Sequence, residues 1–402
     1  MINVAVLGYG TVGSGVVEVI DINGELIAKR TGQEVNVKYI LDLREFPGDP
    51  FEHKIVHDFE TVINDSEIKV ICEVIGGVGK AYEFTRRALE KGISVCTSNK
   101  ELVAKHGAEL LALAKENNCS YLFEASVGGG IPIIRPFNTA LTAERIEAVM
   151  GILNGTTNYI LTKMEHEGAD FAEVLKEAQA KGYAESNPAA DIEGYDPCRK
   201  IAILSSLMMG KNVDSEKIYT EGIAKVTAAD FAYAKEAGCT IKLLGQSKAL
   251  GDEVLAMVAP FMISKDHPLA MVNDVFNGIF VTGNTLGDTM YYGSGAGKLP
   301  TASAVVADVI ECAKNVGETI PCFWDLEQVA LADISQVEWK YFLRAKAEAK
   351  EAVEAAFPGG CVISAEGREE EFGYITEPIK EKDFAEKYEA LNDSILSRIR
   401  LA

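Results

Sequence analysis

The opening turn of the chain leaves few folds available. "VAVLGYGTVGSGVVEVI" places Gly8-x-Gly10-x-x-Gly13 directly after a short apolar run, residues 2 to 7, and at the head of a helical pattern running from about Ser14 to Lys29. A strand, a glycine turn and a helix in that order fit a βαβ unit built to hold a dinucleotide. The first glycine permits the tight turn. The second lets backbone approach a pyrophosphate, and the third lets helix and strand pack closely. Thr11 and Val12 complete the expected phosphate cradle, where free helix N–H groups and the helix dipole favour an anion.

The alternation continues beyond this unit. "VNVKYILDL", "IKVICEVIG" (68–76), "ISVCTSN" (93–99) and "SYLFEAS" read as further strands, separated by helical patterns such as "KAYEFTRRALEKG" and "AKHGAELLALAKENN". Strands alternating with helices imply a parallel sheet covered on both faces, an α/β doubly wound fold. The pattern breaks at "SVGGGIPIIRP". Residues 1–130 are therefore expected to form a nucleotide-binding domain, completed by residues from about 295–320, and 131–320 an α+β substrate-binding and dimerisation domain. The tail, 338–402, reads β-α-β-β-α-β, a ferredoxin-like order. Its last helix is expected over "KDFAEKYEALND" and its last strand over "SILSRIRLA".

Composition sets outer limits. The 402 residues carry a net charge of −21, which argues against nucleic-acid or anionic-membrane partners. No apolar run approaches the ~18 residues of a membrane span. The eight scattered cysteines, without a Cys-x-x-Cys pair, fit reduced thiols and a cytoplasmic location. His53 and His57 have a metal-like spacing but no third ligand nearby, so a solvated loop is expected there.

Three stretches carry candidate chemistry. Asp42 ends the second strand, where an acid binds adenosine ribose hydroxyls. Arg44, two residues on, suits a 2′-phosphate, and the two together leave NAD and NADP both open. Lys100 follows the strand "ISVCTS" at the carboxyl edge of the sheet, where open α/β sheets bind ligands. "YDPCRKIAILSSLMM" reads as a helix with Asp196 as N-cap and Pro197 at its first position. Lys200, four residues after Asp196, shares the apolar stripe of Ile203, Leu204 and Leu207. A lysine near acids at the rim of a buried helix suits proton transfer or an anion clamp.

In these stretches and several others the chain resembles the homoserine dehydrogenases. The matching text is "VLGYGTVGSGV", "CEVIGG", "TSNKELVAKHG", "FEASVGGGIPIIRP", "GILNGTTNYILTKM", "GYAESNPAADIEGYDPCRKIAIL" and "YYGSGAGKLPTASAVVADV", in order over most of residues 1 to 320. That family reduces L-aspartate 4-semialdehyde to L-homoserine with NADH or NADPH. The resemblance implies Lys200 as general acid, assisted by Lys100, each lysine lowering the other's pKa. It implies substrate contacts from Glu185, Asp196, Asp191, Thr156 and Tyr183, with Glu193 facing solvent. Asn187 and Ala190 stand where many relatives carry acids. Lys100, Gly182 and Gly297 are expected beside the nicotinamide. Main-chain oxygens of Glu124, Val127, Gly129 and Ile131 are expected to bind a monovalent cation, Na⁺ or K⁺. A homodimer or homotetramer is implied as well.

The tail departs from relatives with regulatory domains. Its first loop reads "RAKAEAKEAVEAAF", without the proline and glycine of an effector loop, which makes threonine feedback doubtful and leaves dimer contacts as the expected role. No kinase-like region precedes the glycine turn, so a monofunctional enzyme is expected. Two other readings stay open from the residues alone. One is a reductase of another small carbonyl compound. The other is a silent nucleotide sensor, against which the presence of both lysines argues.

Overall fold

Six parallel strands form the first sheet of the computed structural model, which describes residues 1–391 and 393–402. They are β1 (Ile2–Leu7), β2 (Val35–Leu41), β3 (Ile55–Val56), β4 (Ile68–Glu73), β5 (Ser94–Thr97) and β6 (Tyr121–Leu122), in the order β3-β2-β1-β4-β5-β6. All six residues of β1 are buried, because helices cover both faces and leave no polar side for alternation to serve. The helices are α1 (Thr11–Ile22), α2 (Gly24–Thr31), α3 (Phe59–Ile63), α4 (Gly79–Glu90) and α5 (Lys100–Glu116). The strand order reverses between β1 and β4, so their carboxyl ends open a crevice of the kind that holds ligands.

Two local expectations are corrected here. The single helix expected from Ser14 to Lys29 is two helices, broken at Asn23. The strand expected over "SYLFEAS" is two residues long and gives way to a 3₁₀ turn at Glu124–Ser126. The cause is Glu124 itself. Its buried carboxylate accepts the backbone N–H groups of Ile133, Ile134 and Arg135 at 2.5, 2.8 and 2.7 Å, and so folds the chain back on itself.

A second, mixed sheet comes next along the chain. Its first part comprises β7 (Ile146–Ile152), β8 (Tyr219–Thr220), β9 (Cys239–Leu250), β10 (Glu253–Ser264), β11 (Phe276–Gly283) and β12 (Gly287–Ser294). The main path β12-β11-β7-β9-β10 is antiparallel throughout. Helices α6 (Gly155–Glu167), α7 (Phe171–Ala180), α8 (Ala189–Ile192), α9 (Tyr195–Met209) and α10 (Ala228–Glu236) belong to this region, and α6 and α9 pack on the sheet. The chain then returns to the first sheet: α11 (Lys298–Lys314) lies along α1.

The tail adds β13 (Ala330–Leu331), β14 (Glu338–Lys346), α12 (Lys350–Ala356), β15 (Cys361–Ile363), β16 (Glu371–Ile375), β17 (Ile379–Lys380), α13 (Glu381–Ala390) and β18 (Ile395–Leu401). The helix expected to run through 393 ends at Ala390; position 392 lies outside the described residues. The tail strands are ordered β18-β14-β16-β15, and β18 also pairs with β10 through Phe261↔Arg400 and Met262↔Leu401. The second sheet therefore runs unbroken into the tail. Arg400, almost fully buried at this seam, donates to Glu221 at 2.8 Å and to Glu381 at 2.6 Å, which joins the two parts by paired charges.

Candidate active site

The two candidate lysines and the acid between them come from two helices that start at one cleft. Asn99 caps α5 by accepting the N–H of Leu102 at 3.1 Å, so Lys100 is the first residue of that helix. Asp196 and Lys200 lie one turn apart on α9. The expectation that Asp196 caps α9 is corrected: the N-cap is Gly194, in a left-handed conformation with φ of 85°, and Asp196 sits inside the first turn. Freed from capping, its carboxylate takes a different task. One oxygen is paired with Lys100 Nζ, and the other accepts Lys200 Nζ at 2.9 Å and the Asn154 amide at 2.8 Å.

Both lysines are therefore tied to the one carboxylate of Asp196. Charge explains it. The side chains of Asp196 and Lys200 are 5% and 8% exposed, against 40% for Lys100, so the buried Lys200 ammonium requires a paired anion, and Lys100 reaches the same carboxylate from the open side of the cleft. Burial alone would raise the Asp196 carboxyl. The charges of Lys200 and Lys100 outweigh it and hold the group well below the ordinary carboxylate range. Burial lowers Lys200 from the ordinary lysine value, the Asp196 charge pulls it back, and the Lys100 charge lowers it again. The mutual-lysine effect is therefore secondary to burial at Lys200. Lys200 also donates to the main-chain oxygen of Leu153 at 2.7 Å, which aims its head group.

The cleft around this trio has a volume of about 560 Å³. Glu185, Asp191, Thr156 and Tyr183 line it, with Gly182 beside Tyr183 after the end of α7; Val12 of α1 and Gly297 at the start of α11 line it too. Burial raises the Asp191 carboxyl, with the Asn154 amide, at 2.7 Å, working against it and the Asp196 charge adding to the rise. Thr156 donates to the main-chain oxygen of Tyr183 at 2.6 Å, tying the start of α6 to the loop that carries Glu185. Glu185 and Glu193 are exposed, and only Glu185 lines the cleft.

Gly8, Gly10, Thr11 and Gly13 do not line the cleft; they form the β1–α1 turn beside it. A Cβ at Gly13 would stand 1.8 Å from the Gly8 carbonyl oxygen, so no side chain fits there, while a Cβ at Gly10 would meet nothing within 4 Å. The turn is packed from behind and open in front, which fits a pyrophosphate on the first N–H groups of α1. Asp42 accepts the Tyr9 N–H at 2.8 Å and is forked by Arg44 at 3.0 and 2.9 Å. Arg44 hydrogen bonding, with its charge, overcomes burial and holds Asp42 well below the ordinary carboxylate range. The Arg44 guanidinium is 62% exposed and lies 5.0 Å from the Phe46 ring centre.

The segment bearing Glu124, Val127, Gly129 and Ile131 folds against the same cleft, with Val127 and Gly129 lining it. The Glu124 carboxylate already accepts three backbone N–H groups, and the candidate ligands in this segment are its main-chain oxygens. Among the described residues no hydrogen bond reaches the main-chain oxygens of Val127, Gly129 or Ile131, although Val127 and Ile131 are buried. Buried carbonyls normally find a donor, so hard, unpaired oxygens at this point fit a cation. His53 lies in a short turn before β3 and His57 directly after that strand, and no metal-binding group of three or more His, Cys, Asp or Glu occurs among the described residues.

Comparison with known proteins agrees with this geometry. The family model for the homoserine dehydrogenase NAD binding domain matches residues 8–124, and that for homoserine dehydrogenase matches residues 132–310. A homoserine dehydrogenase of Bacillus subtilis is 43% identical over 318 residues, covering 78% of this chain and 73% of its own. One of Mycobacterium bovis is 39% identical over 383 residues, covering 92% and 86%. A crystal structure of a homoserine dehydrogenase from Thiobacillus denitrificans superposes with a TM-score of 0.89 at 36% identity, covering 100% of this chain and 98% of that one. The chain belongs to the homoserine dehydrogenase family.

The enzyme is therefore an NAD(P)-dependent oxidoreductase of amino-acid biosynthesis. Its site contains one residue that reading the sequence passed over. Asn154 caps α6 with its oxygen, accepting the Thr157 N–H at 2.9 Å, while its amide donates to both Asp191 and Asp196. The signal was present in "LNGTTN": an asparagine immediately before a helix is a typical cap, and a cap beside an acidic loop has an amide to spare.

Proposed function

We propose that the cleft reduces L-aspartate 4-semialdehyde to L-homoserine, with Lys200 as general acid and Lys100 assisting. The observation that carries this reading is the Asp196 carboxylate holding both ammonium groups in a cleft shared with Val12, Ser98 and Gly297 of the coenzyme side. A bound reduced nicotinamide supplies the hydride to the carbonyl carbon. Lys200, aimed by Leu153 and Asp196, gives its proton to the carbonyl oxygen as charge gathers there, and the product is the alcohol. Its lowered pKa brings the neutral and charged forms closer together, so that the reverse oxidation has its base. Lys100 keeps a second positive charge near the same oxygen.

Because Asp196 is occupied by the lysines, the substrate ammonium group falls to Glu185 and Asp191. The substrate carboxylate is assigned to the N-terminal turn of α6 beside Thr156, where helix N–H groups favour an anion.

NADP is proposed as the preferred coenzyme. The exposed guanidinium of Arg44 suits a 2′-phosphate, and Asp42, already forked by that arginine, is a poor partner for ribose hydroxyls. A crystal structure of a hyperthermophilic archaeal homoserine dehydrogenase mutant in complex with NADPH, 30% identical over 77% of this chain with a TM-score of 0.67, accords with this choice. A Na⁺ or K⁺ ion is proposed on the main-chain oxygens of Glu124, Val127, Gly129 and Ile131. Exposed Met271, Leu286 and Tyr292, close to β11 and β12, support a homodimer or larger assembly. The eight free thiols suit a reducing cytoplasm, the proposed location.

The decisive experiment is Lys200→Ala. Turnover of the semialdehyde should fall by ~10²–10⁴-fold with the circular dichroism spectrum unchanged. Near-normal turnover would remove Lys200 from the mechanism.

A further inference from the structure

Beneath the cleft lies another lysine-centred cluster that the chemistry above does not use. Lys242 on β9 is fully buried. Its Nζ donates to the Val272 main-chain oxygen at 2.7 Å, to Asn273 Oδ1 at 2.9 Å and to Asn158 Oδ1 at 3.5 Å. All three are neutral oxygens. A buried ammonium without a paired carboxylate is costly, and a methionine would fill the same space without that cost. What the charge does supply is a clamp on loop 272–276.

The loop is strapped from the other side as well. Asn158 on α6 donates to the main-chain oxygens of Val272, Asp274 and Phe276 at 3.2, 3.1 and 3.1 Å, and Thr162 accepts the Asp274 N–H at 3.0 Å. Asp274 is held with φ of 56°, a left-handed conformation that a non-glycine residue adopts only when its surroundings enforce it. Val275, at the centre of the loop, lines the catalytic cleft. Its carbonyl lies flush against the first residue of α6: a Cβ at Gly155 would come within 2.7 Å of it. Gly155 is the neighbour of Asn154, whose amide holds both Asp191 and Asp196.

We propose that Lys242 is a positioning residue for substrate binding, its ammonium clamping loop 272–276 so that Val275 and the first turn of α6 form a fixed floor to the cleft. The inference rests on the reading of the cleft as an amino-aldehyde site. Burial also lowers Lys242 to about 8, while Glu165 on α6 and Asp274 on the loop pull it upward. Above that pH the clamp loses its charge and the floor loosens.

The test is steady-state kinetics of Lys242→Met in the full-length enzyme, with L-homoserine and oxidised coenzyme, across neutral to alkaline pH. The expected result is a KM for L-homoserine raised about tenfold, with kcat and the coenzyme KM within about twofold, the pattern of lost substrate binding rather than lost chemistry. The alkaline rise in KM of the unaltered enzyme should be absent from the variant. Asn158→Ala, which cuts the opposite strap, should raise the same KM. Unchanged KM values in both folded variants would overturn the inference, as would a loss confined to kcat. Failure of both variants to fold would assign Lys242 to the core alone and overturn it too. Absence of L-homoserine turnover in the unaltered enzyme would instead overturn the reading of the cleft, and this inference with it.

Discussion

Replacing Asp196 by Asn removes one negative charge and almost no volume. In the native site that charge is 5% exposed and serves Lys200 at 2.9 Å, Lys100 and the Asn154 amide at once. Removing one partner of a buried ion pair costs about 3–5 kcal/mol, because the other charge stays buried. Lys200 has an exit: it can release its proton. At 1.36 kcal/mol per pKa unit, a stranded ammonium worth ~3–4 kcal/mol lowers the Lys200 pKa by ~2–3 units before the neutral form takes over. The general acid of the reduction is the charged form. The alkaline limb of kcat/KM for semialdehyde reduction should therefore move toward acid by ~2 pH units, and at any pH on that limb the rate should fall by up to ~10²-fold. Initial rates of reduced-coenzyme oxidation across the pH range measure both. A folded Asp196→Asn enzyme whose alkaline limb stays in place would refute this reasoning, because Lys200 would then owe its charge state to something other than Asp196.

Other parts of the structure carry three more expected outcomes. Asn154→Ala removes a helix cap and the amide between two acids; it should lower stability by about 1 kcal/mol in chemical denaturation and raise the KM for L-homoserine, since Asp191 and Asp196 then repel without a bridge. Arg44→Ala should weaken NADPH by ~10-fold or more while leaving NADH nearly unchanged, the loss of one charge-assisted phosphate contact, and equal losses for both coenzymes would place the 2′-phosphate elsewhere. Lys242, lowered to about 8 in the fold, should make stability rise with alkalinity. In the window from about 8 to the ordinary lysine value of ~10.4 the unfolded chain binds more protons, so the native enzyme should gain up to ~3 kcal/mol relative to Lys242→Met as pH rises. A pH series of denaturation curves tests that sign.

Much of the fold could be read from the chain because it is encoded locally. The βαβ alternation is a change of hydrophobic period between neighbouring segments, and the Gly8–Gly13 turn is a steric requirement within six residues. The two helices and the longer strands of the tail were legible for the same reason, whereas the two-residue β17 between β16 and α13 was not. Nor was the tail's sheet partner: β18 joins β10, well over a hundred residues away, and nothing in "SILSRIRLA" names the strand it will meet.

The candidate site divides along the same line. Residue type and spacing along one helix put Lys200 one turn from Asp196, and the strand-to-helix junction put Lys100 at the sheet edge. The sequence alone determined that these groups existed and that the chain could hold a dinucleotide. Only the tertiary structure decided what they do to one another. Asp196 looked like a helix cap because caps are recognised from neighbours in sequence. In the folded chain Gly194 takes the cap, and Asp196 becomes the common anion of two lysines, one of them on a helix much earlier in the chain. Burial decides which charges must pair and which pKa values move, and burial belongs to the assembled molecule rather than to any stretch of the chain.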